Sequence, residues 1–356
     1  MILENFKNQR VVVTGHTGFK GSWLTLFLRL AGAKIMGISL KPNTKPSLFK
    51  AINLSEDINN NYLNILNKKK LEKKILSFKP DFIFHLAAQP LITDAYEKSF
   101  LTWETNLIGT INILEIIKKL KKSCTCVMIT SDKCYENIEK RSGYKEIDRI
   151  GGIDPYSASK ASAEIAIKSY FESFIVKTNH RIASARAGNV IGGGDWNYGR
   201  IIPDCMNALK EKKLVVIRNS QSSRPWQHVM EVVYGYLRLA TILKRDVNLN
   251  GESFNFGPSN KKVYRVKNIL NEIKKEWKNF NWSGDKKSKT MSETNLLVLN
   301  CSKAKKFLNW EPQMTFKKTI ELTLDWYKIF YKKNKNKDDI KSYTEKQILN
   351  YCKLLK

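Results

Sequence analysis

The chain has 356 residues, 42% of them hydrophobic and 27% charged. That length allows two ordinary domains or one large α/β domain with an elaborated lobe, and the balance excludes a disordered, fibrous or collagen-like chain. Lys and Arg outnumber Asp and Glu 62 to 33, a formal charge of +29. The excess is scattered in short pieces such as Lys68–Lys70 and Lys332–Lys333, not gathered in a stripe interleaved with aromatics. A lysine- and asparagine-rich composition therefore accounts for it better than nucleic-acid binding does, and an anionic substrate fits either reading. No apolar run approaches the roughly 20 residues of a membrane span. A polar, glycine-rich segment begins by Gly15, so no signal peptide is expected. A cytoplasmic protein with no membrane partner is expected. Six cysteines are too few for a disulfide scaffold, and Cys124 and Cys126 read as ordinary buried thiols. With four histidines (His16, His85, His180 and His228), no metal site is expected.

In chain order, RVVVT at 10–14 is a β-branched run suited to a buried parallel strand. The glycine turn Gly15–Gly21 follows, then a helical pattern from Trp23 to Leu30, then a second strand over Ile35–Leu40. This is a βαβ unit. The alternation continues with a helix over Leu71–Phe78, a strand over Asp81–Leu86, an amphipathic helix over Asn106–Leu120 and a strand over Cys126–Thr130. A long helix over Ser157–Phe174 and a strand over Arg181–Ala185 complete it. The pattern predicts an α/β fold, a doubly wound parallel (Rossmann) sheet. Beyond about residue 190 it loosens into a smaller C-terminal lobe. We expect a dinucleotide domain over 1–190 with return segments around 226–258, a substrate lobe over 191–330 and a tail over 331–356. Residues 332–337 hold only Lys and Asn and read as a solvated linker, and Tyr343–Leu355 reads as a last amphipathic helix.

Gly15, Gly18 and Gly21 stand where a dinucleotide loop must stand, between first strand and first helix. They allow a tight turn, close approach to a pyrophosphate and close helix–strand contact, and the helix N-terminus offers free N–H donors. The expected cofactor is a nicotinamide dinucleotide. The second strand ends Ser39-Leu40-Lys41 without the acid usual for NAD; Lys41 suits a 2′-phosphate, so the residues alone leave NAD and NADP open.

Tyr156 and Lys160 form Y-x-x-x-K, on one face of a helix. An ammonium beside a phenol lowers its pKa from about 10 and fits it for proton exchange with a sugar hydroxyl. Thr130-Ser-Asp-Lys133 at the end of a strand completes the constellation.

With these motifs on view, the chain resembles the extended short-chain dehydrogenase/reductases, and among them the CDP-glucose 4,6-dehydratases. The resemblance is carried by GHTGFKGSWL (Gly15–Leu24), KPNTKPSLF, HLAAQPL, TSDKCYEN, GGIDPYSASKASAE, SARAGNVIGGGDW, IRNSQSSRPWQHV, FNFGP and CSKAKKFLNWEP. It covers nearly all of the chain to about residue 325, and the tail around Tyr343–Tyr351 also resembles that family. It implies an NAD-dependent cycle on CDP-glucose giving CDP-4-dehydro-6-deoxyglucose, a precursor of deoxysugars in bacterial surface polysaccharides. C4 is oxidised, water is lost across C5 and C6, and the hydride returns to C6. Tyr156 would take the 4-hydroxyl proton, Ser131 would hold the same oxygen, and Lys160 would hold the cofactor ribose. Asp132 and Lys133 would be the acid and base of elimination, where dTDP-glucose dehydratases read Asp-Glu; alternatively Lys133 only polarises the ketone. A dry pocket would raise the pKa of Asp132 and lower that of Lys133.

The resemblance also implies cofactor contacts from Gly15, Thr17, Gly18, Phe19, Lys20, Gly21, Asn64, Ile65, Leu86, Ala87, Ala88, Gln89, Asn106, Tyr156 and Lys160. Substrate contacts fall to Asn189, Arg200, Arg224 and His228. Asn106 is either the family's helix asparagine or an N-cap of the following helix. Arg200 and Arg224 are diphosphate clamps or solvated surface residues, and His228 is a pocket wall or a core histidine. Asn64-Ile65 stands where relatives carry an aspartate that binds adenine, with Asp57-Ile58 a poorer-spaced alternative. Together with the missing ribose acid, this predicts modest NAD affinity. Leu308-Asn309-Trp310 and Asn300 depart from the family pattern without touching a catalytic position. Rival readings are another nucleotide-sugar dehydratase, a 4-epimerase, or a nucleotide-sensing or RNA-binding scaffold. The family commonly pairs Thr105–Leu120 and Ser157–Phe174 across a homodimer, and a homotetramer stays open.

Overall fold

The computed structural model describes residues 2–217, 219–258, 264–284, 296–332 and 337–355. Its centre is a seven-stranded sheet formed by β1 (Arg10–Thr14), β2 (Lys34–Ser39), β3 (Asn59–Tyr62), β4 (Phe82–His85), β5 (Thr125–Ile129), β6 (Arg181–Ala187) and β7 (Ser253–Phe256). The spatial order is β7-β6-β5-β4-β1-β2-β3, and every neighbouring pair is parallel. The chain runs outward from β1 to β3, returns, and builds the other half from β4. The order thus reverses between β1 and β4, and a crevice opens above their carboxyl ends.

Alternation along β1 explains its uninterrupted valines. Val11 and Val13 enter one hydrophobic cluster and Val12 the other, all with no exposed surface. The first face is covered by α1 (Phe19–Leu30), and the second by α2 (Lys68–Phe78) and α3 (Gly109–Lys119). The long helix α4 (Pro155–Tyr170) starts at Asp154, whose side chain accepts from the Ser157 N–H, with Pro155 in the first turn. Helix α5 (Val229–Leu243) packs its apolar stripe on α1 and the sheet.

The strands predicted from apolar runs lie within two residues of their predicted ends. β3 was not predicted, because NNNY has no apolar pattern: it is an edge strand whose pairing with β2 is made by backbone alone. The predicted helix from Asn106 is also corrected. Helix already begins at Ser99, passes through a π-helical turn over Glu104–Ile108 and continues as α3.

The C-terminal segment folds back on the core. Helix α6 (Phe316–Tyr331) precedes α7 (Lys337–Leu354). The Tyr351 hydroxyl donates to the buried Glu231 carboxylate at 2.8 Å, and Arg29 on α1 pairs with Glu345 at 2.7 Å. The predicted linker over 332–337 has residues 333–336 outside the described set. Among the described residues no helix is long and apolar enough to cross a membrane.

Candidate active site

The loop after β1 is fixed by backbone. Gly15 N donates to Ile38 O on β2 at 2.8 Å, and Gly18 N to Gly15 O at 3.1 Å. Gly15 has φ +77°, and a Cβ there would stand 2.7 Å from the Ala87 nitrogen at the end of β4. A Cβ on Gly21 would collide with the Gly15 carbonyl. Gly18 is the N-cap of α1 and supplies no side-chain cap, so the first-turn amides around Phe19 and Lys20 remain for an incoming anion. Small, half-buried Ala87 and Ala88 face this loop after β4 with Leu86 and Gln89. The cradle fits a dinucleotide.

At its far end, Thr17 is spent on structure: its hydroxyl meets Ser39 Oγ at 2.8 Å and donates to Leu40 O at 2.9 Å. His16 lies beneath, its Nε2 against Asn60 Oδ1 at 2.7 Å and its ring against Gly37. Neither His16 nor Asn60 was singled out by the sequence, since the contact depends on the unpredicted β3. Asn64 is exposed, and its Oδ1 accepts from Leu66 N at 2.9 Å, so the oxygen expected to face adenine already closes a turn. Ile65 is buried. Lys41 stands 6.0 Å from the Tyr62 ring centroid.

Asn106 is 1% exposed and inside a helix, which excludes the N-cap reading. The π turn aims its amide inward. Oδ1 accepts from Gln89 N at 2.8 Å, and Nδ2 donates to Gln89 O at 3.2 Å and Ser159 Oγ at 2.9 Å. One asparagine thus couples the β4 loop to α4. Gln89 turns its own amide to Leu91 and Thr102, so its side chain is committed to the loop. His85 is locked between Thr14 at 2.8 Å and Thr110 at 3.2 Å, and burial pushes its pKa down to about 3.

Ser131, Asp132 and Lys133 follow β5 in a single 3-10 turn. Ser131 Oγ accepts from Lys133 N at 3.2 Å and donates to Asp132 Oδ1 at 3.0 Å. Burial raises the Asp132 carboxyl above its ordinary range, against the pull of Lys133, Ser131 and Lys20. Tyr156 and Lys160 project from the first turns of α4, both buried. The expected depression of the phenol is corrected. Burial pushes Tyr156 up to about 12; Ser131 opposes this, while the Asp132 carboxylate adds to it. Lys160 faces Lys20, Glu164 and Cys134 instead, and burial followed by Lys20 brings it down to about 8. Lys20 belongs to this pocket as much as to the glycine loop. Burial and Arg200 bring it down to about 8, with Asp132 and Asp195 opposing.

Of the expected substrate residues, Arg200 joins the site: Nη1 lies 2.8 Å from Asp195 Oδ2, and its charge acts on Tyr156 and Lys20. Asn189 is exposed beside Gly188, where a Cβ would stand 3.2 Å from Asp132 Oδ2. Arg224 lies on a two-stranded ribbon with Tyr264 and donates to Ser223 O at 2.8 Å. Of the two readings left open for His228, the structure shows the core residue. It has no exposed surface, and its Nδ1 accepts from Met230 N at 3.2 Å as the N-cap of α5.

A glycine cradle at the sheet's switch point, with serine, tyrosine and lysine converging beside it, defines an extended short-chain dehydrogenase/reductase. The comparisons narrow this. A family profile described as GDP-mannose 4,6 dehydratase matches residues 12–323. The chain is 41% identical over 335 residues to a CDP-glucose 4,6-dehydratase of Salmonella typhimurium, covering 92% of this chain and 93% of that one. It is 23% identical to a UDP-glucose 4-epimerase of Mycoplasma pneumoniae over 78% of this chain and 85% of the other. Among solved structures, a dTDP-glucose 4,6-dehydratase of Bacillus anthracis in complex with NAD superposes with a TM-score of 0.73 at 22% identity, covering 90% and 96% of the two chains. The chain belongs to the GDP-mannose 4,6-dehydratase family of nucleotide-sugar dehydratases and epimerases.

Proposed function

We propose that the protein is an NAD-dependent CDP-glucose 4,6-dehydratase of the cytoplasm, converting CDP-glucose to CDP-4-dehydro-6-deoxyglucose for deoxysugar synthesis. The observation that carries this is the Asp132-Lys133 pair on the turn that also holds Ser131, one wall from Tyr156, in a chain 41% identical to a curated enzyme of that name. A 4-epimerase has no need of an elimination pair. The residues fit NAD in the cradle from Gly15 to Gly21, walled by Leu86–Gln89 and backed by Asn106. Held there, NAD would supply a hydride acceptor at the start of the cycle and a hydride donor at its end, which leaves loss of water as the net change.

The chain's own groups do the rest. As the phenolate, which the Ser131 hydrogen bond and the Arg200 charge favour against burial, Tyr156 takes the proton of the 4-hydroxyl while Ser131 holds that oxygen, and Lys160 holds the ribose and the site's positive charge. The ketone at C4 acidifies the C5 proton. Lys133 takes that proton and gives it back to C5 once C6 is reduced, and Asp132, whose carboxyl burial raises above its ordinary range, delivers one to the departing 6-hydroxyl. Arg200, oriented by Asp195, clamps the diphosphate with Asn189 and Arg224. The test is a substrate panel of CDP-glucose, dTDP-glucose, UDP-glucose and GDP-mannose with NAD, followed by the mass loss of one water. Product from CDP-glucose alone is expected, and product only from another sugar would discard the CDP assignment.

The assembly we propose is a homodimer through α3 and α4. Ile165 (61% exposed) on α4, with Phe100 (74%) and Ile108 (45%) on the helical segment that leads into α3, are exposed apolar side chains that a second copy would cover. Light scattering should give a dimer or a dimer of dimers, and Ile165→Asp should shift it to monomer.

A further inference from the structure

The catalytic helix carries a third chemistry-bearing residue on the same face. Glu164 follows Lys160 at i+4, so Tyr156, Lys160 and Glu164 form one row on α4. The Glu164 side chain is 2% exposed and lies 2.9 Å from Arg186 Nη2, itself 3% exposed. Thr130 Oγ1 donates to Oε1, and Ser184 Oγ donates to Oε2 at 2.8 Å. Arg186 in turn donates to the Tyr135 hydroxyl at 2.8 Å, Glu146 O at 3.1 Å and Ser253 Oγ at 3.1 Å. The carboxylate therefore ties α4 to the ends of β5 and β6, and Thr130 is the residue immediately before Ser131. Stability alone does not call for such a pair, since apolar residues of the same volume often serve as well.

We propose that Glu164 is a positioning residue for the dehydration: it fixes Ser131 against Tyr156 and is the counter-charge that keeps Lys160 an ammonium. This rests on the dehydratase reading above. The groups facing Lys160 are Lys20 from α1, Cys134 from the turn after β5 and His85 from the end of β4, with Glu164 on its own helix. Burial holds His85 neutral and pushes the Cys134 thiol up, so both are uncharged near neutral pH. Glu164 is then the anion that opposes burial and Lys20. The ammonium is lost as pH rises through about 8. Removing Glu164 moves that loss downward by roughly one pH unit.

The experiment compares wild type with Glu164→Gln in two readouts. One is the pH dependence of kcat with CDP-glucose and NAD. The other is direct titration of Lys160 by carbon NMR of protein labelled with 13C at the lysine ε position, the resonance assigned with Lys160→Met. The expected result is a downward shift of about one pH unit in both the alkaline limb and the Lys160 midpoint, with kcat reduced about tenfold there and KM nearly unchanged. The double variant Glu164→Gln/Arg186→Met leaves no uncompensated buried charge. It should show a smaller shift in the same direction, since the Arg186 cation is lost with the anion, and it serves if the single variant fails to fold. A folded variant whose Lys160 titrates as in wild type overturns the inference. The titration needs no substrate, so a wild-type protein that leaves CDP-glucose untouched sinks the dehydratase reading alone.

Discussion

Replacing Asp132 by Asn isolates the elimination step. The carboxyl is 5% exposed, Oδ1 accepts from the Ser131 hydroxyl at 3.0 Å, and Oδ2 backs onto Gly188. Asparagine has the same size and keeps an oxygen for Ser131, so the pocket need not repack and what is lost is the transferable proton. General acid catalysis contributes about 10²–10⁴-fold, or roughly 3–5 kcal/mol of barrier. Oxidation at C4 uses Tyr156 and remains. In a single turnover Asp132→Asn should therefore form the 4-keto sugar and reduced cofactor at near wild-type rate and hold them, while loss of water slows by that factor. The pH dependence follows from the raised carboxyl pKa. The protonated form is needed, so wild-type turnover falls as pH rises through the raised value, and the variant lacks that limb. Rapid-quench mass spectrometry with cofactor absorbance separates the steps. Dehydration within tenfold of wild type, or equal slowing of oxidation and elimination, would refute the assignment.

Gly21→Ala drives a methyl group into the Gly15 carbonyl; about 1–3 kcal/mol of stability and at least tenfold in NAD affinity should be lost, read by urea unfolding and calorimetry. Asn106→Ala removes the partners of both Gln89 backbone groups and one of the two partners of the Ser159 hydroxyl. Loosening the β4 loop this way should cost about 1–3 kcal/mol and raise the NAD dissociation constant, whereas unchanged affinity would separate Asn106 from the cradle. Tyr351→Phe leaves the Glu231 carboxylate with the N–H groups of Gln313 and Met314. The urea midpoint should drop by the equivalent of about 1–2 kcal/mol with an unchanged slope, and no drop would mean that α7 is not held there.

Among the strands read accurately, β1, β4 and β5 are largely apolar runs because helices cover both sides of the sheet. β3 escaped because an edge strand needs no apolar face. The local parts of the site were legible for a related reason. The glycine turn and the Tyr156–Lys160 spacing are short-range patterns whose geometry a helix or turn fixes by itself.

What the sequence determined alone is the strand-turn-helix order, the cradle between β1 and α1, and the residue types gathered at the end of β5 and the start of α4. Tertiary structure decided how those groups are charged and held. Burial, which no spacing reports, lifts Tyr156 and Asp132 and depresses Lys160 and Lys20. A π turn sends Asn106 inward to Gln89, and His228 becomes the cap of α5. The tail becomes part of the core because Tyr351 finds a buried carboxylate 120 residues away in the chain. These outcomes depend on which surfaces meet once the sheet has closed, and contacts between distant residues leave no period in the sequence.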